Sequence, residues 1–471
     1  MTRHVDVAII GAGSAGLYAL GQVKHLTDNY LLIDGGELGT TCARVGCMPS
    51  KVMIQIAEDF HRRSIFDREG IEGKDALTLN IPDAMEHVQD LRDTFVDRTL
   101  SHSTDNMDQT HLLTANVRFI DSSTLITEDG ETIRAKKIII ATGSSPLIPQ
   151  AWSPFLDHIL TTDDIFELEE LPGKMAIIGL GVIGIEIGQA LSRMGVEITG
   201  IDQSDIIAGI DDDAINKTAI EILSKEFPLW LGHGAEMSLL DNNQLQITAG
   251  DRDVIVDKVL VCIGRKPNLG SLDLDKTNLK LGDNGIPEFD PVTMQTSNPD
   301  IFIAGDCTGS RALLHEAGFE GRVAGFNAMH DSITRFKQKT PLAITFSDPN
   351  IVAVGAQLSE LDPETTAIGE IQLAPVGRAL IMGKNRGLIR IYADKSTGNI
   401  QGASMICVKG ENLAHLLCWS IEMGLTVHDL LKMPFYHPVI EEALQAALYD
   451  LRSKVDTIDC DYPVELQPLG N

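Results

Sequence analysis

Two cysteines, Cys42 and Cys47, lie five residues apart in the segment GTTCARVGCMPSK. On an ideal α-helix this spacing would separate their Cα atoms by about 8.6 Å, whereas a disulfide can bridge roughly 7 Å at most. A disulfide here therefore needs a break in the helix, and Gly46 has the freedom to provide it. Pro49 is favoured in the first turn of a helix, which would put Cys47 near a helix N-terminus, where a thiolate is stabilised.

This cysteine pair fits a redox disulfide, two buried free thiols or half of a zinc site. Structural zinc sites need four Cys or His ligands at closer local spacing, and no second cluster is visible, so we predict no metal. The chain has 7 cysteines in 471 residues. An odd, thin distribution argues against an extracellular disulfide framework and favours a reducing cytoplasm.

A duplication organises the sequence around the cysteine pair. Residues 5–16 (VDVAIIGAGSAG) and 175–184 (MAIIGLGVIG) are apolar strands that run into three glycines, and an acid follows 21 residues after each middle glycine. The residues are Gly11, Gly13, Gly16 and Asp34 in the first copy and Gly179, Gly181, Gly184 and Asp202 in the second. Such glycines let the backbone approach a pyrophosphate, and the acid takes ribose hydroxyls. The repeat predicts two dinucleotide sites, and beside one of them a redox pair is the simplest interpretation of the cysteines.

The rest of the chain divides around these two units. RAKKIIIATGSSPLIP (134–149) and NPDIFIAGDCTG (298–309) each place an apolar strand before a polar turn, so we expect the first unit to be interrupted by the second and to resume afterwards. Residues 83–111 have a helical period and should cover the first unit. After Pro341 come alternating strands (ITFSDPNIVAVGA, GLIRIYAD, GNIQGASMI) and then helices around 411–423 and 439–452, which predicts an α+β domain on an antiparallel sheet.

Composition excludes some partners. A net charge of -29 and a pI near 4.7 repel nucleic acid and anionic lipid. No stretch approaches the roughly 18 apolar residues of a spanning helix, and the N-terminal apolar run ends in glycines too early for a signal peptide. We therefore expect a cytoplasmic protein without a nucleic-acid or membrane partner.

Together these segments resemble the pyridine nucleotide-disulfide oxidoreductases, and within them most of all the dihydrolipoamide dehydrogenases. The resemblance rests on both fingerprints, the CxxxxCxPSK run from Cys42 to Lys51, the ATG, GRKPN and GDC segments, and HPVIEE near the end. It implies a homodimer of α/β class, in which a Rossmann-like NAD domain is inserted in an FAD domain and a C-terminal α+β domain mediates dimerisation. The predicted boundaries are 1–148 for the FAD domain, 149–268 for the NAD domain, 269–342 for the part that completes the FAD domain, and 343–471 for the dimerisation domain.

The resemblance also implies roles at the redox site. Cys47 would face the flavin as the charge-transfer thiolate, Cys42 would exchange with substrate, and Lys51 and Glu186 would form an ion pair near the flavin's reactive nitrogen. His437 and Glu442 would be an acid-base pair that completes the partner subunit's thiol site. Thiol exchange needs a base and an acid in this pH range, although a lone His-Pro is more often a capped turn, and Glu441 is the alternative acid.

Further residues are implied as cofactor contacts. Asp306 would bind the ribityl chain, and the stretch from Ala312 to His315 would lie along the isoalloxazine. The candidate contacts to FAD or NAD are Gly11, Gly13, Ser14, Ala15, Gly16, Asp34, Gly35, Thr41, Lys51, Ala115, Thr142, Gly143, Ser144, Gly179, Gly181, Val182, Ile183, Gly184, Asp202, Gly264, Arg265, Gly305, Asp306, Ala312, Leu313, Leu314 and His315.

The choice among relatives rests on particular residues. Two features favour NAD over NADP: Gly184 completes the second fingerprint, and no arginine directly follows Asp202. Mercuric reductases carry a C-terminal cysteine pair where this chain has only Cys460, transhydrogenases lack the thiol pair, and glutathione-type enzymes need basic residues for two glycyl carboxylates. We therefore predict oxidation of dihydrolipoamide by NAD through a Cys42-Cys47 disulfide and FAD.

Two alternatives stay open at this point. The thiol segment reads TTCARVGCMPS where GGTCLNVGCIPS is usual, and PFY precedes the base where HAH is usual. These departures leave room for an NADH-dependent reductase of another small or protein disulfide. A flavin-binding redox sensor without turnover is the non-enzymatic alternative.

Overall fold

The chain begins with a mixed sheet, which is parallel around the first strand and antiparallel at one edge. The structure, a computed structural model, describes residues 2–242, 244–456, 462–466 and 468–469. The first part contains β1 (Thr2–Ile10), α1 (Ser14–Val23), β2 (Tyr30–Ile33), α2 (Thr41–Val45), α3 (Cys47–His61), α4 (Phe66–Glu69), α5 (Ile81–Ser101), β3 (Leu112–Leu113), β4 (Val117–Asp121), β5 (Thr124–Thr127), β6 (Thr132–Ile140) and β7 (Ser144–Pro146). The strand order is β3-β2-β1-β6-β5-β4.

A second parallel sheet comes next along the chain. This part contains β8 (Ile159–Leu160), α6 (Thr162–Ile165), β9 (Lys174–Ile178), α7 (Val182–Met194), β10 (Glu197–Ile201), α8 (Asp213–Leu223), β11 (Leu229–Trp230), β12 (Glu236–Leu239), β13 (Leu245–Ala249), β14 (Arg252–Val256), β15 (Lys258–Val261) and β16 (Arg265–Pro267). Its strand order is β11-β10-β9-β15-β8, and β12, β13 and β14 form a separate antiparallel sheet. Strand β16 pairs with β7 and so ties this unit back to the first one.

The chain then returns to the first sheet. Strand β17 (Ile301–Ile303) pairs with β6 in parallel, and α9 (Leu314–Ala328) packs on α1. The prediction that the second unit is inserted in the first is therefore confirmed. The exact domain boundaries given above stay predictions.

The last part is an antiparallel sheet covered by helices, as predicted. It contains β18 (Leu342–Thr345), β19 (Asn350–Gly355), β20 (Thr366–Gln372), α10 (Gly377–Ile381), β21 (Leu388–Asp394), β22 (Ile400–Cys407), α11 (Gly410–Glu422), α12 (Val427–Leu431) and α13 (Glu442–Arg452). The strand order is β18-β19-β22-β21-β20. The run ITFSDPNIVAVGA forms two strands, β18 and β19, because the turn Phe346–Pro349 (FSDP) reverses the chain between them.

Short 3-10 helices complete the described elements: Arg62–Ile65, Lys74–Ala76, Gln109–His111, Gln150–His158, Leu274–Lys276, Asp306–Thr308 and Leu358–Glu360. One buried apolar cluster joins all parts of the molecule, since it combines Met53 of α3, Leu191 of α7 and Ile351 of β19. Burial of this shared core disfavours independent movement of the units. In the described part of the chain, no helix has the length and apolar character needed to cross a membrane.

The strand registers bring the polar turns together. Ile10 pairs with Ile33 and Ile140, and Ile140 pairs with Ile303, so these four strands end side by side. In the second sheet Ile178 pairs in the same way with Ile201 and Val261. The carboxyl ends of parallel strands form the crevice where ligands of such sheets bind.

Candidate active site

The thiol segment folds as two helices with a break between them. Helix α2 carries Cys42, helix α3 starts at Cys47, and Gly46 lies between them with φ -134° and ψ -118°. A Cβ atom on Gly46 would lie 3.0 Å from the carbonyl oxygen of Thr41 and 3.3 Å from the Cα of Cys42. The tight turn places the two cysteine side chains in contact, and both are free thiols in this structure.

The two thiols differ in their acid strength. The thiol of Cys42 acts as a hydrogen-bond donor to Cys47, and the charge of Lys51 adds to this effect, so that the pKa of Cys47 is lowered to about 7 despite burial. The same contact, together with burial, raises the pKa of Cys42. As the pH rises through neutrality, Cys47 therefore ionises first, while Cys42 keeps its proton.

A partly buried ion pair lies next to this thiolate. Lys51, one helical turn after Cys47, donates from Nζ to Glu186 Oε2 of α7 at 2.7 Å, and Glu186 is only 4% exposed. The second carboxylate oxygen, Oε1, accepts the backbone N–H of Phe346 at 2.7 Å. The Phe346 ring centroid lies 4.6 Å from Lys51 Nζ. Sequence reasoning missed Phe346, because it belongs to a segment that reads as a strand.

His437 and Glu442 lie together near the end of the chain. Nδ1 of His437 is 2.8 Å from Oε1 of Glu442, and Oε2 of Glu442 accepts the N–H of Val439 at 3.1 Å. The two contacts lower the pKa of the Glu442 carboxyl. The structure thus pairs the imidazole with Glu442 and not with Glu441. The His437 side chain is 80% exposed, and among the described residues of the same chain it makes no hydrogen bond to either thiol.

A cavity of about 1060 Å³ opens at the carboxyl ends of the first sheet. Its walls include many of the residues predicted to bind FAD or NAD: Gly11, Gly13, Asp34, Gly35, Thr41, Ala115, Thr142, Gly143, Ser144 and Arg265. Its walls also include residues that sequence reasoning missed, among them Thr40, Arg44, Arg92, Asn116 and Asn268. Thr40 and Arg44 belong to the thiol segment and Asn268 to the GRKPN segment, but neither motif assigned a cofactor contact to these positions, and Arg92 and Asn116 carry no local motif.

Other predicted contacts do not line this cavity. Ala15 and Gly16 are buried in α1, and a Cβ atom on Gly16 would lie 1.9 Å from the carbonyl oxygen of Gly11. Ser14 starts the same helix. Lys51 is held by Glu186 outside the cavity wall, and the segment from Ala312 to His315 lies at the start of α9, with Ala312, Leu314 and His315 exposed.

A short polar chain links the end of β17 to the cavity. Ser144 donates from Oγ to Asp306 Oδ2 at 2.8 Å and accepts from Arg265 Nε at 2.8 Å. The N–H of Gly305 donates to Glu320 Oε2 at 2.7 Å. Burial is the main cause that raises the pKa of the Glu320 carboxyl to about 7. Glu320 carries no motif, and sequence reasoning did not find it.

A second cavity, of about 720 Å³, lies at the carboxyl ends of the second sheet. Of the predicted residues its walls include Gly179, Gly181, Val182, Ile183, Asp202, Gly264 and Arg265. Gly184 packs behind them, since its Cβ atom would lie 1.9 Å from the carbonyl oxygen of Gly179. Gln203, His233 and Trp152 also line this cavity and were not predicted. Arg265 lines both cavities, so the two sites adjoin.

The acids of the two units have the same environment. Asp34 accepts the N–H groups of Ala12 at 2.5 Å and Gly36 at 2.8 Å, and Asp202 accepts those of Leu180 at 2.6 Å and Ser204 at 2.8 Å. Each carboxylate is thereby fixed at the cavity wall and keeps lone pairs for further donors.

Both cavities fit a dinucleotide. Each combines a close backbone approach that a Cβ atom would block, a helix N-terminus and a fixed carboxylate, the donor set that pyrophosphate and ribose require. The larger one adjoins the thiol helices through Thr41 and Val45. Among the described residues no group of three or more His, Cys, Asp or Glu side chains could hold a metal ion, and Cys460 lies outside the described residues.

Comparison with known proteins agrees with this geometry. Residues 5–321 match the family model of the pyridine nucleotide-disulphide oxidoreductases, and residues 342–448 match the dimerisation domain of that family, which supports a homodimer. The dihydrolipoyl dehydrogenase of Chlamydia pneumoniae is 30% identical over 94% of this chain and 96% of its own length. The mercuric reductase of Lysinibacillus sphaericus is 27% identical over 97% of this chain and 84% of its own length.

A solved structure shows the same fold. The Cu(II) complex of the HOCl-induced flavoprotein disulfide reductase RclA from Escherichia coli superposes with a TM-score of 0.81 at 22% identity, covering 96% of this chain and all of that one. The family model spans most of the chain, and family members depend on FAD and NAD(P). With two dinucleotide cavities, a thiol pair at the larger one and both family domains matched, the chain belongs to the pyridine nucleotide-disulphide oxidoreductases.

Proposed function

We propose that this enzyme oxidises dihydrolipoamide with NAD, through a disulfide between Cys42 and Cys47 and through FAD. The observation that carries the proposal is the unequal thiol pair, in which the pKa of Cys47 is lowered to about 7 and that of Cys42 is raised. Similarity to a dihydrolipoyl dehydrogenase over nearly the whole chain supports the choice of substrate. FAD, when bound in the first cavity, would supply the two-electron redox chemistry that links the thiol pair to NAD.

The two thiols would divide the exchange between them. A substrate thiolate attacks the sulfur of Cys42 in the disulfide, so that a mixed disulfide forms and Cys47 leaves as a thiolate. The second substrate thiol then displaces Cys42, which takes up a proton, and the oxidised substrate departs. A thiol with a low pKa is the better leaving group, which suits Cys47, whereas Cys42, whose pKa is raised, has to receive a proton as it leaves.

The surrounding charges would serve these steps. Lys51, held by Glu186, stabilises the Cys47 thiolate electrostatically. We assign proton transfer at the substrate thiols and at Cys42 to His437 of the partner subunit, because the exposed His437 makes no hydrogen bond to the thiols of its own chain among the described residues. Glu442 fixes its imidazole through Nδ1, which leaves Nε2 for the proton.

The first cavity would hold FAD and the second NAD. For FAD we assign the glycines and Asp34 of the first unit to the pyrophosphate and ribose, Asp306 to the ribityl chain, and the start of α9 to the isoalloxazine. For NAD we assign the same parts of the second unit. Asp202 would repel a 2′-phosphate, and Gln203 comes directly after it where an NADP enzyme would place a cation, so we propose NAD over NADP.

A second candidate is an NADH-dependent reductase of another small or protein disulfide. It is favoured by Thr40 and Arg44, which line the first cavity where the usual thiol segment has glycine and asparagine. In either case the working thiols need a reducing compartment, and we place the enzyme in the cytoplasm.

A substrate panel tests the proposal. Steady-state rates are measured for lipoamide, glutathione disulfide, coenzyme A disulfide and thioredoxin, each with NADH and with NADPH, and for dihydrolipoamide with NAD. We expect lipoamide and NADH to give the highest kcat/KM. Negligible turnover of lipoamide beside fast turnover of another disulfide would reject the first candidate in favour of the second.

A further inference from the structure

One face of α7 is bound to a single turn of the dimerisation domain, the turn Phe346–Pro349. Glu186, Gln189 and Arg193 lie at positions i, i+3 and i+7 and therefore on one side of the helix. Glu186 accepts the N–H of Phe346 at 2.7 Å. Gln189 accepts the N–H of Asp348 at 2.8 Å and donates to its carbonyl oxygen at 2.9 Å. The helix that starts in the second fingerprint is thus tied to the turn along its length.

Salt bridges add to the hydrogen bonds at this contact. Asp348 receives Arg193 Nη1 and Lys384 Nζ, both at 3.1 Å. The side chain of Arg193 is almost fully buried and also binds Glu226 at 2.7 Å. Although burial opposes ionisation, Lys384 and Arg193 hold the pKa of the Asp348 carboxyl below its ordinary value. The turn is therefore bound by Arg193 of α7 and by Lys384 of its own domain.

The turn touches both members of the ion pair beside the thiols. Its backbone N–H at Phe346 binds one oxygen of Glu186, whose other oxygen binds Lys51, and the Phe346 ring lies against the Lys51 ammonium group. A buried carboxylate needs all of its strong partners to remain ionised and fixed. The position of Lys51 therefore depends on a segment about 300 residues away in the chain.

A second contact joins the same two domains without touching the redox site. Asp212 is fully buried and accepts from Arg390 Nη1 at 2.6 Å and from the hydroxyl of Tyr392 at 2.5 Å. It also accepts the N–H of Ala214 at 3.0 Å and so caps α8. Neither Lys51 nor Glu186 takes part, so this contact is a natural control for domain docking alone.

We propose that the turn Phe346–Pro349 is a positioning element of the redox site, which holds Glu186 so that Lys51 stays beside Cys47. This inference rests on the proposed function. The charged and titratable groups that face Cys47 are Cys42 from α2, Lys51 from its own helix and Glu186 from α7. If the turn loosens, Lys51 spreads over more positions and stabilises the thiolate less.

Two variants test the turn, and one tests the control contact. Gln189→Leu removes both side-chain hydrogen bonds to Asp348, and Phe346→Leu removes the ring but keeps the backbone N–H. Phe346→Tyr keeps the ring and should behave like the parent. Tyr392→Phe weakens the second interdomain contact without reaching Lys51.

The measurement is the alkylation of Cys47 by iodoacetamide against pH, monitored by peptide mass spectrometry on the reduced holoenzyme and paired with thermal unfolding. For Gln189→Leu and Phe346→Leu we expect alkylation at pH 7 to slow by about three- to tenfold, because a rise of about one unit from a pKa near 7 lowers the thiolate fraction at pH 7 by roughly fivefold. Phe346→Tyr and Tyr392→Phe should keep the parent profile.

The outcomes separate the two claims. If Cys47 is reactive in the parent and both turn variants keep the parent's pH profile, the inference about the turn is contradicted but the proposed function is not. This holds even if the variants unfold at lower temperature. If Gln189→Leu does not fold, the same result for Phe346→Leu decides. A parent in which Cys47 reacts no faster than an ordinary thiol contradicts the proposed function, and the inference with it.

Discussion

The two dinucleotide-binding units share one backbone design and differ in the segment that comes after the acid. In both, a Cβ atom added to the third glycine would lie 1.9 Å from the carbonyl oxygen of the first glycine. In both, the acid accepts two backbone N–H groups. After Asp34 the first unit adds α2 and α3 with the two thiols, whereas after Asp202 the second adds no thiol pair before α8. We propose that the repeated part binds the dinucleotides and that the added segment carries the redox chemistry.

Removing either thiol should have the largest effect. Cys42→Ser and Cys47→Ser should each lower disulfide turnover by at least about a thousandfold, since the two groups act as one unit. The variants should differ spectroscopically: reduced Cys42→Ser should keep the long-wavelength absorbance of a thiolate next to flavin, and Cys47→Ser should lose it. The reverse assignment of the band would exchange the roles of the two cysteines.

The acid-base pair should have the next largest effect. His437→Gln should lower turnover by about a hundredfold or more, in line with general acid-base catalysis, while flavin reduction by NADH stays close to the parent rate. Glu442→Gln should lose less, because it only orients the ring. Mixing inactive His437→Gln with inactive Cys42→Ser subunits should restore some activity, because one site of the hybrid dimer has both groups. No recovery in verified hybrids would contradict completion across the dimer.

Matched glycine variants compare the two units directly. Gly16→Val and Gly184→Val place a side chain against the same carbonyl position in each copy. We expect Gly16→Val to release FAD during purification, whereas Gly184→Val should keep FAD and bind NADH more than about tenfold more weakly, a loss of at least 1.4 kcal/mol. Flavin content and NADH titration measure both. Equal effects on both cofactors would break the assignment of one cofactor to each unit.

The pH dependence of Cys47 reactivity should be the smallest of these effects. Because the pKa of Cys47 is lowered to about 7, its thiolate fraction should rise as pH increases through neutrality, well below the range of an ordinary thiol. Alkylation of Cys47 in the reduced enzyme should show this midpoint. Cys307 is buried, which raises its pKa to about 11, and serves as the internal control. A Cys47 midpoint above about pH 8.5, the ordinary value for a thiol, would contradict the described charge environment.

Short-range spacing accounts for the features that could be predicted from the sequence. The two fingerprints, their acids, the break at Gly46 and the pairing partner of Lys51 each come from a local motif or from family resemblance. The inserted unit and the antiparallel C-terminal sheet were also predicted and are confirmed.

The features that could not be predicted depend on contacts between distant segments. Phe346 contacts Glu186 although the two residues are 160 positions apart in the sequence. The segment that contains Phe346 is predicted only as a strand. Glu320 caps the backbone of Gly305 from within a helix that carries no motif. Asp34 and Asp202 were expected to bind ribose hydroxyls, and in the structure their oxygens also accept backbone N–H groups of the fingerprint loops. No spacing rule contains the contact between Phe346 and Glu186, because it arises only when the units pack together.

The most direct test of the account is to count thiols after one equivalent of NADH. The oxidised holoenzyme is treated anaerobically with one equivalent of NADH per FAD, quenched with iodoacetamide and digested. We predict that the peptides with Cys42 and Cys47 become alkylated together, while Cys307 and Cys407 stay unlabelled in the folded protein. Reduction of the flavin without any new label on Cys42 or Cys47 would contradict the claim that this pair is the working disulfide.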